Sequence, residues 1–317
     1  MPNKKKIGIF MPGRLGSERL PNKLLLPLGR SNLWDIACNR LNQLPAKYNK
    51  YVLVYEPELI AIAEQYPNIK VIVRDEGTAK ADGPLSYIYK DVMDTDDTHL
   101  MFLNACFSLL SVNSLVRALE TFETSAADYA TSARPFNNWA FDESGKTITT
   151  IDYKTLSTKS IGNYRQAANV FHIFNRTKFL KDNMMLKPEM ILIDLPESEL
   201  IDVDTPEDYE FAKMKNAKRY VVDIDGTICS HSYPNHYDAK PNINRIKYIN
   251  QLYEAGNYII FLTARGSGSK INWRPITEAQ LLSWGVKYNE LHLSKPHGDY
   301  YIDDRAVVDF DFFKKVD

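Results

Sequence analysis

Ile7-Gly-Ile-Phe-Met-Pro-Gly-Arg-Leu-Gly-Ser-Glu-Arg-Leu-Pro-Asn-Lys23 sets a short apolar run against a loop rich in cations. The run Ile7 to Met11 is bounded by Pro and Gly and reads as a buried strand. Gly13 and Gly16 permit close backbone approach, and Arg14, Arg19 and Lys23 place three cations around the turn. A polyphosphate needs such a site: unpaired backbone N–H groups together with fork-shaped and point-like positive side chains. The loop is not a Walker loop, because no Gly-Lys-Ser/Thr occurs, and it is not the dinucleotide-binding GxGxxG. On the residues alone, the alternative is a solvated turn whose basic side chains point into water.

Outward from this loop, short apolar runs alternate with amphipathic stretches, the pattern of an α/β architecture. Residues 51–54, 71–73 and 99–103 read as further buried strands, and residues 33–44, 57–65 and 85–92 carry apolar positions at helical spacing. A helix is expected over residues 111–122, with Ser111 or Asn113 as its N-cap. Residues 213–219 form a basic, polar stretch, after which a second strand–helix series begins at Tyr220. With 317 residues and roughly 150 per domain, two domains are expected, 1–216 and 217–317.

Composition narrows the class. Lys plus Arg number 39 against 40 Asp plus Glu, a net charge of -1 that argues against a nucleic-acid partner. No apolar run approaches the ~18 residues of a bilayer span, and the basic opening lacks the apolar region of a signal peptide. Three widely spaced cysteines, Cys38, Cys106 and Cys229, make neither a disulfide framework nor a metal knuckle. A soluble, reducing, cytoplasmic home is expected. Further along, Asp202 and Asp204 stand two apart on an extended segment, sharing one face, before Thr205-Pro206 starts a helix. Oxygen ligands that leave room for water and phosphate suit Mg²⁺; the alternative is that one of the two, or Thr205, caps the helix. Asp204 is the stronger metal candidate on this reading.

Arg14-x-Gly16-Ser17-x-Arg19-x-x-x-Lys23, followed by Leu24-Leu-Leu-Pro-Leu-Gly29, resembles the signature of the sugar-acid cytidylyltransferases, the acylneuraminate and 3-deoxy-manno-octulosonate enzymes of the nucleotide-diphospho-sugar transferase fold. Residues 201–210, Ile-Asp-Val-Asp-Thr-Pro-Glu-Asp-Tyr-Glu, are similar to that family's closing motif, in which acidic residues hold Mg²⁺ near the nucleotide phosphates. Tyr164 to Phe171 lies where the family shapes its acceptor pocket, which implies acceptor contacts from Arg165, Gln166 and Asn169. Lys80 to Ser86 is similar to the stretch that lies along the nucleotide, making Asp82 a nucleotide contact or a plain helix N-cap. The resemblance implies a mixed sheet, CTP as substrate, and Arg14 and Lys23 as catalytic cations, with Gly16, Ser17 and Arg19 binding the nucleotide. One departure stands out: Leu103 to Leu110 offers Asn104 and Ser108 to the nucleotide but no carboxylate, so any metal rests on Asp202 and Asp204. The acceptor is then a sugar acid or, alternatively, a small phosphorylated alcohol or phosphonate.

In the second half, Arg219-Tyr-Val-Val-Asp223-Ile-Asp225-Gly-Thr227 is a β-branched strand ending in two carboxylates. Asp223 is placed to attack phosphorus and Asp225 to move protons, with Gly226 allowing the turn; a calcium-like acidic loop or capped turn is the alternative. The motif resembles the first motif of the haloacid-dehalogenase (HAD) phosphatases. Thr263, ending the run Tyr258-Ile-Ile-Phe-Leu, fits the second motif, and Lys295 fits the phosphate-stabilising cation. Tyr300-Tyr-Ile-Asp303-Asp304 reads as another apolar strand ending in carboxylates, with Asp303 preferred over Asp299 or Asp304 as a metal ligand beside Asp223 and Asp225. The intervals between motifs are too short for a cap domain of ~50 residues, so a capless, Rossmann-like HAD fold is expected. His231, His236 and His292 are expected as loop and surface residues, His297 as a possible substrate contact, and Cys229 as a small buried filler.

Together these readings lead to a bifunctional enzyme of nucleotide-sugar or surface-polysaccharide synthesis: CTP-dependent cytidylyl transfer, and Mg²⁺-dependent hydrolysis of a phosphomonoester. The competing reading makes the first domain a degenerate scaffold for an active phosphatase. Expected partners are CTP, the acceptor, the phosphomonoester and further copies of the chain, with neither nucleic acid nor membrane.

Overall fold

The computed structural model describes residues 5–80, 83–151, 154, 164–269, 271–293, 295–296 and 298–317. The chain forms two compact units, one made of Met1–Leu26 with Asn32–Tyr209 and the other of Pro27–Ser31 with Glu210–Asp317. The division falls inside the helix Pro206–Asn216. The five-residue segment of the second unit is bound there by the Gly29 carbonyl, which accepts from Asn257 Nδ2 at 2.8 Å, and by Arg30, which lies over the Phe312 ring.

The first unit is a mixed seven-stranded sheet. Its strands are β1 (Ile7–Pro12), β2 (Asn49–Val54), β3 (Lys70–Val73), β4 (His99–Leu103), β5 (Tyr129–Phe136), β6 (Tyr164–Asn175) and β7 (Ile191–Asp194), in the order β3-β2-β1-β4-β6-β5-β7. The first four pair in parallel, and β6 runs antiparallel to both β4 and β5. Ile7, Ile9, Phe10 and Met11 are buried, as a central parallel strand covered on both faces requires. Helix α1 (Leu33–Asn42) is capped by Asn32, whose side chain accepts from the Asp35 N–H. Helix α2 is Pro57–Ala63, and α3 (Val112–Thr124) is capped by Ser111 and buries Leu115, Ala118, Leu119 and Phe122 at helical spacing. Because β1 and β4 are parallel neighbours, the loops that leave their carboxyl ends, 13–23 and 104–110, open at the same end of the sheet. Ligands of open α/β sheets bind at such carboxyl ends.

The second unit carries three parallel strands, β8 (Arg219–Val222), β9 (Tyr258–Leu262) and β10 (Glu290–His292), with β9 in the middle. Helices α4 (Ile243–Glu254) and α5 (Arg274–Ser283) supply Ile246, Ile249, Leu252 and Leu281 to a core shared with Ile224, Ile259 and Phe261.

Two expectations are corrected here. Residues 85–92 do not make one helix but two single turns, Leu85–Ile88 and Lys90–Met93, separated at Tyr89 (φ −112°, ψ 20°). The strand expected at 300–303 is absent: Tyr300 is 87% and Ile302 98% exposed. Asp303 Oδ1 accepts from the Arg305 N–H at 2.7 Å, closing a turn that an extended strand excludes. All three cysteines are buried thiols. No helix among the described residues is long and apolar enough to cross a membrane.

Candidate functional site

In the first unit, the loop after β1 begins with Gly13, whose N–H donates to the Leu53 carbonyl at 3.0 Å. A Cβ there would stand 2.8 Å from the Trp34 ring, so the close approach demands glycine. Gly16 differs: a Cβ would meet nothing within 4 Å, and the protein's own packing does not require it. Lys23 opens a short 3₁₀ turn, Lys23–Leu25, directly after Asn22 in the left-handed region (φ 55°). Lys23 Nζ donates to Asp204 Oδ1 at 2.6 Å, and Arg19 Nη2 bonds the other oxygen of the same carboxylate. Burial works against the Lys23 ammonium, but Cys106 and Asp204 beside it outweigh that and raise its proton affinity.

Behind Lys23 lies a cavity of about 370 Å³, lined by Gly13, Arg14, Lys23, Arg74, Tyr89, Phe102, Asn104, Cys106, Asp202 and Asp204 among others. Asp202 reaches it by an antiparallel bridge to Phe107, reinforced by the Val203 N–H donating to the Cys106 carbonyl at 3.1 Å. Asp202 Oδ1 is buried with no hydrogen-bond partner, and burial, aided by the Asp204 charge, holds its carboxyl above the usual carboxylate range. A buried anionic oxygen left unmet beside a second carboxylate fits a small hard cation. Both Asp204 oxygens are taken by Arg19 and Lys23, whereas Asp202 Oδ1 is unpaired. Asn104 closes the wall: its Oδ1 accepts from the Cys106 N–H at 2.9 Å, and its Nδ2 donates to the Asn169 carbonyl at 3.4 Å. Burial raises the Cys106 thiol to about 11.

In the second unit, the carboxyl ends of the three strands converge. Asp223, directly after β8, accepts from the Ile224 N–H at 2.9 Å and from Lys295 Nζ at 2.9 Å. Lys295 is stitched to the end of β9, its N–H donating to the Thr263 carbonyl at 3.3 Å and its carbonyl accepting from Ser267 Oγ at 2.6 Å. Thr263 is buried and its Oγ1 accepts from the Arg265 N–H. Gly226 sits at φ 79°, where a Cβ would come within 2.4 Å of the His231 ring. Asp225 does not project a free carboxylate. Arg265 clamps both its oxygens, at 2.7 and 2.8 Å, and Ser232 Oγ donates to Oδ1 at 2.6 Å. Burial works against the Asp225 anion, yet these donors prevail and hold its carboxyl below the usual range.

A family model described as Cytidylyltransferase matches residues 9–252. The chain belongs to the cytidylyltransferase family. Two pseudaminic acid cytidylyltransferases from strains of Campylobacter jejuni are similar to it. One is 26% identical over 229 residues, covering 65% of this chain and 94% of its own. The other is 25% identical over 227 residues, again covering 65% and 94%. A solved structure of CMP:2-keto-3-deoxy-manno-octonic acid synthetase complexed with CTP aligns over 65% of this chain and 96% of its own, at 15% identity and a TM-score of 0.48.

Of the residues singled out in the sequence of this cytidylyltransferase, the cavity brings together Arg14, Lys23, Asn104, Asp202 and Asp204. Arg19 reaches it through Asp204, and Asn169, at φ 55°, reaches it through its carbonyl. Gly16 and Ser17 belong to the loop but not to the lining. Arg165 and Gln166 do not line it either: Arg165 Nε pairs with Asp194 and Gln166 Oε1 accepts from Arg134 Nε, each at 3.0 Å. Asp82 and His297 lie outside the described residues. The metal set expected in the second unit is the Asp223 side chain, the Asp225 main-chain carbonyl and Asp303. Asp303 is exposed, the Asp225 carboxylate is consumed by Arg265, and no group of three or more His, Cys, Asp or Glu able to hold a metal occurs among the described residues. His236, expected at the surface, is 6% exposed and packs edge-on to Trp273.

Sequence reasoning passed over Arg74 and Arg265. Arg74 is buried, donates to the Gly13 carbonyl at 3.3 Å and has its Nε unpartnered at the cavity; burial lowers its proton affinity. Its signal was its place directly after the strand Val71–Val73, at the carboxyl end that the loop of β1 shares. Arg265 stood two residues after Thr263 and left no signal of its partner Asp225, 40 residues away.

Proposed function

We propose that the first unit transfers a cytidylyl group from CTP to a sugar acid of the pseudaminic type. The observation that carries this is the cavity lined by Arg14, Lys23 and Arg74 together with Asp202, one oxygen of which is buried and unpartnered. Family membership and the names of the Campylobacter jejuni relatives support the same reading. A hydroxyl oxygen of the acceptor bonds to the α-phosphorus, the bond to the bridging oxygen breaks, and pyrophosphate leaves with its electron pair while the hydroxyl proton passes to solvent. Arg14, Arg19 and Lys23 neutralise the charge gathering on the leaving phosphates, and Asn104 orders the wall opposite. Asp202 and Asp204 would hold Mg²⁺, which supplies charge neutralisation at the phosphates when bound. Incubation with each of CTP, ATP, GTP and UTP, with Mg²⁺ and pseudaminic or 3-deoxy-manno-octulosonic acid, tests it through pyrophosphate release. CTP alone should support release; equal use of another nucleotide, or transfer only to phosphorylated alcohols, would sink the assignment.

The 2.9 Å contact between Asp223 and Lys295 favours a second activity, hydrolysis of a phosphomonoester in the same pathway of surface-polysaccharide synthesis. An oxygen of Asp223 bonds to phosphorus as the bond to the ester oxygen breaks, and that oxygen leaves as the alcohol with a proton taken from solvent. Water then cleaves the aspartyl-phosphate to inorganic phosphate. Lys295 draws the phosphate toward the carboxylate and offsets their repulsion, and Thr263 borders the same strand end. Release of phosphate from p-nitrophenyl phosphate and from sugar phosphates tests this activity; its complete absence from the intact chain would end the reading.

A further inference from the structure

The second unit contains a hydrogen-bonded circuit around Asp225, two residues after Asp223. From Asp225, held by Arg265 and Ser232, the circuit passes to His236, whose Nδ1 lies 2.9 Å from Ser232 Oγ. The His236 carbonyl accepts from Gln280 Nε2 at 2.6 Å, and Gln280 Oε1 accepts from Arg265 Nη1 at 2.7 Å, which closes the ring of bonds. Three of its members are buried, Arg265 at 2%, His236 at 6% and Ser232 at 8% exposed, while Asp225 and Gln280 are half-buried.

Counting protons assigns each bond a direction. A hydroxyl has one proton to give, and an ionised carboxylate has none. The Ser232 proton goes to Asp225, so a lone pair of the hydroxyl faces His236, and the 2.9 Å contact requires a proton on Nδ1. We infer that His236 is a positioning residue for Asp225 and acts through Ser232: the imidazole Nδ1–H pins the serine hydroxyl in the one orientation that donates to the carboxylate. The neutral ring is thereby held in its Nδ1–H tautomer, with Nε2 left as an acceptor. The charged groups facing it are Asp225, 3.7 Å from Nδ1, and Arg265, and they act on the ring in opposite senses. Asp225 is kept as an anion turned toward Arg265, and the loop 230–239 is tied to the strand ends that carry Asp223 and Lys295. The consequence for turnover rests on the phosphatase reading; the tautomer does not.

Long-range ¹H–¹⁵N spectra of the full chain, labelled at the histidine nitrogens, test the inference. The His236 signals are assigned by their loss in His236→Asn. In the wild type, Nδ1 should resonate as protonated and Nε2 as unprotonated. Ser232→Ala should return the ring to the Nε2–H tautomer that free imidazole prefers, and Ser232→Thr, which keeps the hydroxyl, should restore Nδ1–H. An Nε2–H tautomer in the wild type, or no response to Ser232→Ala, overturns the proposal. With p-nitrophenyl phosphate, Ser232→Ala should lower kcat severalfold at near-constant KM, with recovery in Ser232→Thr; an unchanged kcat in a hydrolysing enzyme also overturns it. A wild type that hydrolyses nothing defeats the phosphatase reading alone, since the spectra still decide the role of His236.

Discussion

Lys23 Nζ stands 2.6 Å from Asp204 Oδ1 although 181 residues separate them in the chain. The contact joins the first loop of the first unit to a carboxylate just before the helix Pro206–Asn216, and Arg19 bonds the other oxygen of the same group. Two of the three loop cations therefore hold an anion of the protein itself. In the proposed reaction an incoming triphosphate would exchange one set of negative oxygens for another, and the carboxylates would then be free to face a cation bound with the nucleotide.

Lys23→Ala should remove the most enclosed of these cations. Loss of one preorganised donor at a developing anion lowers kcat by ~10²–10³-fold. Pyrophosphate release from CTP measures it, with a thermal melt to show that the variant is folded. Activity within twofold of wild type would place the triphosphate elsewhere.

Asp202→Asn should act in opposite directions on stability and on metal use. The folded carboxyl is held above its ordinary value by burial, so the folded state binds the proton more tightly than the unfolded chain does. Stability of the ligand-free protein accordingly falls as pH rises through that window, and the cost of the buried anion persists at neutral pH. Asparagine removes that cost, and the melting temperature at pH 7 without metal should rise. Mg²⁺-dependent transfer should weaken by ~10–100-fold or more. Calorimetry and Mg²⁺ titration of activity report the two effects; a destabilised variant with normal Mg²⁺ response would contradict both.

The strands at 99–103 and 258–262 and the cap at Ser111 were legible because apolar period and capping chemistry are local. That Lys23, Asp202 and Asp204 belong to one site was legible for a similar reason: a glycine loop after a strand, and carboxylates before a Thr-Pro helix start, announce themselves, and the three line one cavity. Pairings across the sheet were not. Which carboxylate Arg265 would clamp depends on the parallel register of β8 and β9, and that register leaves no mark at Asp225 or at Arg265. The residues 300–303 show the opposite failure. Their apolar alternation suits a strand, yet the turn closed by Asp303 supplies a local hydrogen bond that the sheet does not compete for.

Asp225→Ala should destabilise the second unit strongly, because it strands the Arg265 guanidinium, whose side chain is fully buried. Removing one member of a buried ion pair costs about 3–5 kcal/mol. The wild-type pair also has a pH signature. Its carboxyl is depressed in the folded state, so its contribution is complete above the ordinary carboxylate value and is lost as pH falls through the depressed one. Denaturant melts at pH 7 and in the acid range below ~3.9 check this. A variant as stable as wild type at pH 7 would show that the clamp contributes nothing net.

Asp223→Asn bears on the phosphatase reading most directly. Asp223 is the carboxylate that Lys295 approaches, and it sits directly after β8 with its other oxygen fixed by the Ile224 N–H. An amide keeps the shape and accepts the same backbone bond but is a poor nucleophile toward phosphorus, so no acyl-phosphate forms. Hydrolysis of phosphomonoesters should disappear while cytidylyl transfer, which employs residues of the first unit, continues at the wild-type rate. Lys295→Ala should instead leave a measurable residual rate, since the nucleophile survives and only the cation opposing charge repulsion is gone, a loss of ~10²–10³-fold. Phosphate release and pyrophosphate release measured on the same protein samples separate the two activities. If Asp223→Asn still hydrolyses phosphate esters at the normal rate, an aspartyl-phosphate on this residue is ruled out. If it also loses cytidylyl transfer, the two activities do not reside in separate sites.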